Sequence, residues 1–246
     1  PLRDKETIDF ELIIKDLETI DSRINKVAKQ AKTGGDKQAQ KALTILENYK
    51  SVLESGKAAR VVELDPANRS LVSDLFLLTD KPVLYVCNVD DASVVNGNKY
   101  VDMVRPVIEE EKAGILLISA ATEADIADLE SYEEKQMFLE DLGLDEPGVN
   151  KLIHAAYKIL NLQTYFTTGP DESRAWTFTK GIKAPQAAGI IHSDFERGFI
   201  RAEVIKYDDY VRLGSEAACR DAGKIGIEGK DYVVQDGDIM HFRFNV

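Results

Sequence analysis

The chain has 246 residues, a formal net charge of -12 and 44% hydrophobic residues, which is enough apolar material for one large domain or two to three small ones. No run approaches the roughly eighteen apolar residues of a membrane span, and the charged start lacks the apolar core of a secretory signal. The sequence therefore excludes membrane insertion and predicts a cytoplasmic protein, and the start at Pro1 rather than Met leads us to expect a piece of a longer chain.

The acidity is uneven along the chain. Residues 1–57 carry 11 basic and 10 acidic side chains, residues 58–162 carry 9 and 20, and residues 163–246 carry 11 and 13. The net negative charge therefore belongs mostly to the middle region, and it does not exclude an anionic partner for the other two.

The cysteines and histidines do not form a reactive pattern. Cys87 and Cys219 lie far apart, without CxxC spacing or a nearby histidine, which predicts two reduced packing residues and no metal site. His154, His192 and His241 have no readable catalytic partner, so we predict packing or surface roles for them.

Residues 1–57 predict two helices that pack lengthwise. Apolar residues recur at alternating spacings of three and four over residues 10–31, beginning at Phe10, and again over residues 42–53, which is the pattern of a helix seam. The intervening TGGD ends the first helix at a glycine and caps the second with Asp36. The two helices should therefore fold back as an antiparallel coiled-coil hairpin.

The tip of this predicted hairpin is basic. Asp36 is the only acidic residue between positions 22 and 46. Two interpretations stay open, a solvated helix face with lysines for solubility or a prong that contacts a phosphate backbone. The candidate contacts are Arg23, Lys26, Lys29, Lys32, Lys37 and Lys41.

The pattern changes to α/β at residue 58. Two near-continuous apolar segments, residues 82–88 and 114–120, flank a predicted helix over residues 98–111. This order predicts a right-handed parallel βαβ unit. Because a parallel sheet needs several strands with both faces covered, we expect further strands from a partner or from an N-terminal half of this domain.

Two helix starts can be read in the same region. Asp65 and Pro66 fit the N-cap and first position of a helix over residues 67–78. The S-x-x-E spacing from Ser131 to Glu134 predicts a capping box.

The last region is rich in strands. A short helix over residues 184–191 follows the first two strands, and three more strands come after it. This order predicts a small mixed sheet packed on one helix. The predicted strands are residues 162–168, 174–179, 199–205, 231–235 and 238–244.

Polar residues follow both strands of the βαβ unit. Asn88 and Asp91 come after the first strand, and Ser119 and Ala120 after the second. Ligands bind beyond the carboxyl ends of parallel strands, where an Asn amide offers a donor and an acceptor and a carboxylate accepts from N–H groups. The pattern predicts a corner that binds a nucleotide base, beside the simpler interpretation of a turn.

These residues carry a family resemblance. NVDD after the first strand and SAATE after the second resemble the fourth and fifth nucleotide-binding motifs of translation-factor-type P-loop GTPases. With the heptad hairpin before them and the tail WTFTKGIKAPQAAGIIHSDFERGFIRAEVI through KDYVVQDGDIMHFRFNV, the whole chain resembles the YchF or Obg-like ATPase family.

The resemblance implies a multidomain fold of α/β and α+β parts. Residues 1–57 would form a helical coiled-coil hairpin, residues 58–162 the C-terminal part of the P-loop NTPase (G) domain, and residues 163–246 a ubiquitin-like β-grasp (TGS) domain. In that scheme the phosphate loop and the Mg²⁺ ligands precede the hairpin, and no G-x-x-x-x-G-K-[ST] motif occurs in the sequence. The full-length protein is expected to hydrolyse ATP, or GTP, with Mg²⁺, and this chain is expected to be inactive and without catalytic residues or metal ligands.

The resemblance also implies roles at the strand ends. Asn88 would hydrogen-bond the base, Val89 would lie along its face, Asp91 would read its Watson–Crick edge, and Ser119 and Ala120 would add main-chain contacts. The family usually has Asn-x-x-Glu, associated with ATP, whereas GTPases have Asn-Lys-x-Asp. This sequence combines Val89 with Asp91, so the base preference is open, with ATP ahead.

The implied partners are the ribosome or a ribosomal subunit and RNA, with no DNA-specific contact. Aromatic residues in the last region, Trp176, Phe178 and Phe195, are assigned to the core, and basic residues are the candidates for RNA contact. Two alternatives to the hydrolase stay open, an RNA- or ribosome-binding module and a ubiquitin-like adaptor that docks proteins through its sheet. The basic candidates are Arg174, Lys180, Lys183, Arg197 and Arg201.

Overall fold

The fold is mixed α/β and divides into two compact units, Pro1–Leu152 and Ile153–Val246. The computed structural model describes residues 1–34, 36–169 and 172–245, with side chains described for all of these except residues 32–34. Among the described residues, no helix combines the length and the apolar character needed to cross a membrane.

The first unit contains two long helices, a two-stranded parallel sheet and several shorter helices. Its helices are α1 (Leu2–Gly34), α2 (Lys37–Glu54), α3 (Pro66–Ser70), α4 (Lys99–Glu110), α5 (Ala120–Asp128) and α6 (Tyr132–Asp141), and α7 (Gly148–Ile159) begins in it. Its strands are β1 (Leu84–Asn88) and β2 (Gly114–Ile118), and short 3₁₀ turns lie at Ala59–Val61, Ser73–Leu75 and Asp91–Ser93.

Helices α1 and α2 turn back on each other. Asp36 caps α2 by accepting hydrogen bonds from the backbone N–H groups of Gln38 and Ala39, as its position in the sequence predicts. Lys50 of α2 lies 2.6 Å from Asp21 of α1. The apolar seam between them forms the largest part of the core of this unit, with buried members Ile13, Ile20, Val27, Ala39, Ile45, Leu46, Tyr49 and Leu53.

A buried carboxylate joins this helix pair to the chain before β1. Asp16 of α1 is 2% exposed, and its oxygens accept from the backbone N–H groups of Leu78 and Thr79 and from the Thr79 hydroxyl, each at 2.7 Å. The same hydroxyl accepts from the N–H of Ala59 at 2.9 Å. Because buried donors are costly to leave unpaired, this cluster fixes the segment that leads into the sheet.

Strands β1 and β2 run parallel in the register Asn88 to Ile118, so both strands end at the same edge. Helix α4 connects them, which makes the predicted βαβ unit. The predicted caps are also present: Asp65 accepts from Asn68 N–H at the start of α3, and Ser131 and Glu134 form the capping box of α6.

The second unit is built on one five-stranded mixed sheet. Its strands are β3 (Leu162–Thr168), β4 (Ser173–Thr179), β5 (Phe199–Lys206), β6 (Gly226–Glu228) and β7 (Asp238–Phe244), and its helices after α7 are α8 (Ala184–Ile191), α9 (Ser193–Arg197), α10 (Tyr207–Leu213) and α11 (Glu216–Asp221). The strand order is β4-β3-β7-β5-β6, with β3 and β7 parallel and the other neighbours antiparallel.

Both faces of this sheet carry apolar clusters. On one face, helix α8 packs through Ala184, Ala187 and Ala188 against a cluster that includes Tyr165 and Met240. On the other, residues of α10 and α11 pack over a smaller cluster of Ile205, Cys219 and Ile239. The small alanines let α8 approach closely, which explains why a sequence of only eight residues, APQAAGII, forms a buried helix here.

Three predictions from sequence are wrong in detail. Phe10 was expected in the helix seam but is 60% exposed; it lies beyond the end of α2, which stops at Glu54. The expected helix over residues 67–78 stops at Ser70 as α3. After this helix, Phe76 has a left-handed φ of 50°. The backbone N–H groups of Leu78 and Thr79 then donate to Asp16 instead of forming helical hydrogen bonds.

The third error concerns residues 231–235, which were predicted as a strand. Only Val233 forms an isolated bridge there, to Lys183, because buried Asp238 accepts from the N–H of Gln235 and from the Tyr232 hydroxyl and holds the segment as a loop. Strand β6 was missed in its place, since three residues beginning with glycine give too little pattern to identify a strand.

Candidate functional site

The carboxyl ends of β1 and β2 meet at one polar corner. Val89 N–H donates to the carbonyl of Ile118 at 2.9 Å, which continues the sheet pairing one residue past β1. Helix α5 then begins at Ala120, directly after β2. This places the N-terminus of a helix, whose first backbone N–H groups need partners from outside the helix, beside the residues that follow β1.

Asn88 is anchored to that helix start. Its side-chain Oδ1 accepts a hydrogen bond from the N–H of Ala120 at 3.1 Å. The residue is exposed, and no described residue accepts from its Nδ2 group. The amide is therefore oriented by its oxygen, and its two N–H donors are available to a ligand.

Asp91 is held by two hydroxyl groups. Ser119 Oγ donates to Asp91 Oδ1 at 2.6 Å, and Thr122 Oγ1 donates to the same oxygen at 2.5 Å. Hydrogen bonds from Ser119 and Thr122 lower the pKa of the Asp91 carboxyl, so it is ionised at neutral pH. Among the described residues, none donates to its second oxygen, Oδ2.

The two hydroxyl groups differ from Asp91 in exposure. Ser119 and Thr122 are each 1% exposed, whereas Asp91 is exposed. Ser119 Oγ also accepts from the N–H of Thr122 at 3.2 Å and thereby caps α5. The buried hydroxyl groups of Ser119 and Thr122 thus fix the Asp91 carboxylate, which is exposed to solvent. Val89, two residues earlier in the chain, is half-buried.

Comparison with known proteins places this corner in context. Residues 162–245 match the YchF-GTPase_C family model, described as a protein of unknown function (DUF933). The chain is 52% identical over its full length to the ribosome-binding ATPase YchF of Bacillus subtilis (strain 168) and spans 67% of that protein. It is 42% identical to Obg-like ATPase 1 of Gallus gallus, of which it spans 63%.

A solved structure agrees. The structure of the Schizosaccharomyces pombe YchF GTPase matches 99% of this chain and 66% of its own with a TM-score of 0.88, at 34% identity. The chain belongs to the YchF/Obg-like ATPase family. It spans about two thirds of the length of these YchF relatives.

The basic candidates in the first unit of this YchF-family chain differ in their partners. Arg23 forms an ion pair with Asp74. Lys26, Lys37 and Lys41 are exposed, and no ion pair joins them to another described residue. Lys29 is exposed as well, and the side chain of Lys32 lies outside the described residues.

The basic candidates in the second unit are all exposed, but three of the five already contact another side chain of the protein. Arg174 lies over the Trp176 ring at 4.3 Å, Lys183 pairs with Asp231 at 2.6 Å, and Arg197 pairs with Asp194. Lys180 and Arg201 have no ion pair with another described residue. These side chains lie on several different elements of the second unit.

The aromatic candidates of the second unit belong to its core, and the cysteines and histidines follow in turn. Phe178 is buried, and Trp176 and Phe195 pack against the same core cluster, as predicted. Both cysteines are free. His154, His192 and His241 are exposed, and His192 Nδ1 accepts from the N–H of Asp194.

Two residues of the SAATE segment were missed by sequence reasoning. Thr122 completes the Asp91 cluster, and its only sequence signal is a hydroxyl three residues after a helix-capping serine. Glu123 accepts from the N–H groups of Gly148 and Val149 at 2.6 and 3.0 Å and so caps α7. A Cβ at Gly148 would lie 2.8 Å from Glu123 Oε1, so a larger residue there would make the Glu123 carboxylate move from its present position.

The family implies Mg²⁺ as a cofactor, and the described residues do not offer a cluster of ligands for it. Within residues 1–34, 36–169 and 172–245, no group of three His, Cys, Asp or Glu side chains is arranged to hold a metal ion.

Proposed function

We propose that this chain carries the base-recognising part of an ATP-binding site, and that the full-length protein uses this site to hydrolyse ATP in association with ribosomes. The printed names of the relatives, ribosome-binding ATPase and Obg-like ATPase 1, support this function at the level of the family. GTP is the second nucleotide to consider, since one relative is named a GTPase.

One observation carries the proposal for this chain. Asn88 presents free N–H donors and Asp91 presents a free carboxylate oxygen, side by side beyond two parallel strands. Each of these side chains is oriented by a hydrogen bond to its other polar atom. A purine base offers a ring-nitrogen acceptor and amino or ring N–H donors, which complement this pair.

The exposure of the first sheet supports the three-part architecture proposed for the family. Val86 in β1 is 47% exposed, and each strand pairs only with the other among the described residues. We assign residues 58–162 to part of a G domain whose other strands belong to the longer protein. Residues 1–57 then form the coiled-coil hairpin and residues 163–246 the TGS domain.

The phosphate half of the site is assigned outside these 246 residues. The sequence contains no G-x-x-x-x-G-K-[ST] motif, and positioned amides, a lysine and Mg²⁺ are what phosphoryl transfer requires. We therefore expect this chain alone to bind nucleotide weakly and not to hydrolyse it. We also expect the full-length protein to be cytoplasmic.

Calorimetric titration with ATP tests the site. Replacing Asn88 with Ala removes both the donor and its anchor to Ala120, and we expect roughly tenfold weaker ATP binding. Asn25→Ala, on the exposed face of α1, is the matched control and should bind as the unaltered chain does. Equal affinity in the Asn88 and Asn25 variants, or ATP turnover by this chain alone, would contradict the proposal.

Ribosome association has a second, independent test. Lys26, Lys37 and Lys41 are exposed near the turn between α1 and α2, without a described ion-pair partner. Changing all three to Glu should weaken co-sedimentation with ribosomes. The slope of log binding constant against log salt concentration should become less steep by roughly two to three.

The control for this test carries the same change of charge elsewhere. Lys57, Lys112 and Lys158 are also exposed, and changing these three to Glu should have a much smaller effect. If both triple variants bind ribosomes equally, the contact does not lie at the α1–α2 turn.

A further inference from the structure

We propose that a pocket in the first unit binds a small planar aromatic molecule that carries an N–H donor. The pocket, here called the Asp80 pocket, has a volume of about 310 Å³ and is lined by Tyr49 of α2 and by residues of the segment 69–82. This segment precedes β1, whereas the polar corner follows it. The proposal therefore does not depend on nucleotide binding at that corner.

A buried carboxylate oxygen is the first sign of a ligand. Asp80 Oδ2 accepts from Arg69 Nη1 at 2.9 Å, but the other oxygen of Asp80, Oδ1, is buried and accepts from no described residue. Among the described residues, it is the one buried side-chain polar atom without a hydrogen-bond partner. Because a buried acceptor on a charged group is costly to leave unpaired, Oδ1 is suited to accept from a donor that enters the pocket.

Tyr49 supplies a second polar group to the same pocket. Tyr49 is 1% exposed, and its hydroxyl forms no hydrogen bond with another described residue. Burial raises the pKa of this hydroxyl, and the negative charge of Asp80 raises it further, so Tyr49 stays protonated at neutral pH. The hydroxyl can therefore donate to a ligand beside Asp80 or accept from it.

The remaining walls of the pocket are mostly apolar, and Phe76 contributes an exposed ring. Phe76 is 79% exposed and has a left-handed φ of 50°, which is rare for a bulky residue. A planar ligand can stack on this ring while it covers the apolar wall. The other apolar lining residues are Val72, Leu75, Leu77 and Pro82.

The charges of the pocket favour a neutral ligand. The Asp80 carboxylate is already paired with Arg69, and Lys81 also lines the pocket. A cation would therefore meet two positive side chains, and an anion would meet the unpaired oxygen of Asp80. A neutral ring N–H supplies a donor to Oδ1 without either cost. Indole, which joins one N–H to a planar apolar ring, is the simplest probe with these properties.

The test titrates the isotope-labelled chain with indole and follows its amides by nuclear magnetic resonance. We expect shifts at the amides of Leu77, Asp80 and Lys81, with a dissociation constant in the low millimolar range or below. Benzofuran is the matched ligand, because it has nearly the same shape but carries an oxygen in place of the N–H. It should bind roughly tenfold more weakly than indole. Equal binding of the two ligands, or no shift in the pocket with indole, would overturn the proposal and leave Oδ1 to an ordered water.

Phe76→Gly tests the aromatic wall, because glycine accepts a left-handed φ without strain. The variant should keep the amide spectrum of the folded chain and bind indole roughly fivefold more weakly. The matched control is Phe10→Ala, which removes another exposed ring, from α1 and outside the pocket, and it should leave indole binding unchanged. If Phe76→Gly binds indole as tightly as the unaltered chain does, the ligand does not stack on Phe76 and the proposal is wrong.

Discussion

The two sheets of this protein bury their strands to very different extents. Val204 of β5 is 4% exposed, whereas Val86 of β1 is 47% exposed. Strand β5 has neighbours on both sides and clusters on both faces, while β1 has one described neighbour. The same residue type in a strand thus contributes to a core only where the surrounding layers are complete.

The first unit therefore depends on other features for its stability. Its main core lies between α1 and α2, and the chain leading to β1 is held by the buried carboxylate of Asp16. The second unit depends on its sheet. This contrast predicts where substitutions will be costly in each unit.

The largest effect is expected at Asp16. Asp16→Ala leaves the N–H groups of Leu78 and Thr79 and the buried Thr79 hydroxyl without this acceptor, and it should cost about 3–4 kcal/mol of local stability. Amide hydrogen exchange of α2, from Leu46 to Leu53, measures it. Asp21→Ala, which removes only the surface ion pair with Lys50, should cost less than about 1 kcal/mol. If both substitutions cost the same, Asp16 does not anchor the segment that leads into β1.

The comparison of the sheets is tested by one chemical change in each. Val204→Ala should destabilise the second unit by about 2–3 kcal/mol, read by urea unfolding with the fluorescence of Trp176, the only tryptophan in the chain. Val86→Ala should lower the local stability, measured by hydrogen exchange in β2, by less than about 1 kcal/mol, because about half of the Val86 surface is already in contact with water. Equal costs would show that β1 is as well covered as β5.

A smaller, pH-dependent effect is expected at Glu111. Burial alone would raise the pKa of its carboxyl, but hydrogen bonds from Lys5 and Tyr85 outweigh burial and lower it from 4.5. A lowered pKa stabilises the folded state above about pH 4.5, and that contribution disappears as the pH falls through the folded pKa.

Glu111→Gln isolates this contribution. The stability difference from the unaltered chain, below about 1 kcal/mol, should be constant between roughly pH 6 and 8 and shrink below about pH 4.5. The readout is hydrogen exchange in α1 and α4 at each pH. A difference that does not change with pH would show that the ion pairs of Glu111 do not stabilise the fold.

Local signals in the sequence were sufficient for most elements. Asp36, Asp65 and Ser131 cap helices where they were expected to, because capping depends on a few neighbouring residues. Strand β3 and helix α8 also match their predicted bounds. Two of the errors lie where a side chain accepts from backbone N–H groups that the predicted helix or strand would have used. Asp16 does so from a helix more than sixty residues away in the chain, and Asp238 from three residues away.

The corner at the strand ends could be foreseen only in outline. Parallel strands end at one edge, so a sequence can place Asn88 near Ala120 and Asp91 near Ser119. That Thr122 also binds Asp91 Oδ1 depends on the start of α5 and on side-chain orientation, and periodicity does not encode either. The order of the five strands, with β7 between β3 and β5, likewise depends on long-range pairing.

We propose above all that residues at the ends of β1 and β2 recognise a nucleotide base. The most direct measurement is a titration of the isotope-labelled chain with ATP, followed by nuclear magnetic resonance of its amides. We expect the largest shifts at the Asn88 side-chain amide and at the backbone N–H groups of Val89 and Ala120. Shifts confined to the second unit, or none at millimolar ATP, would contradict the claim.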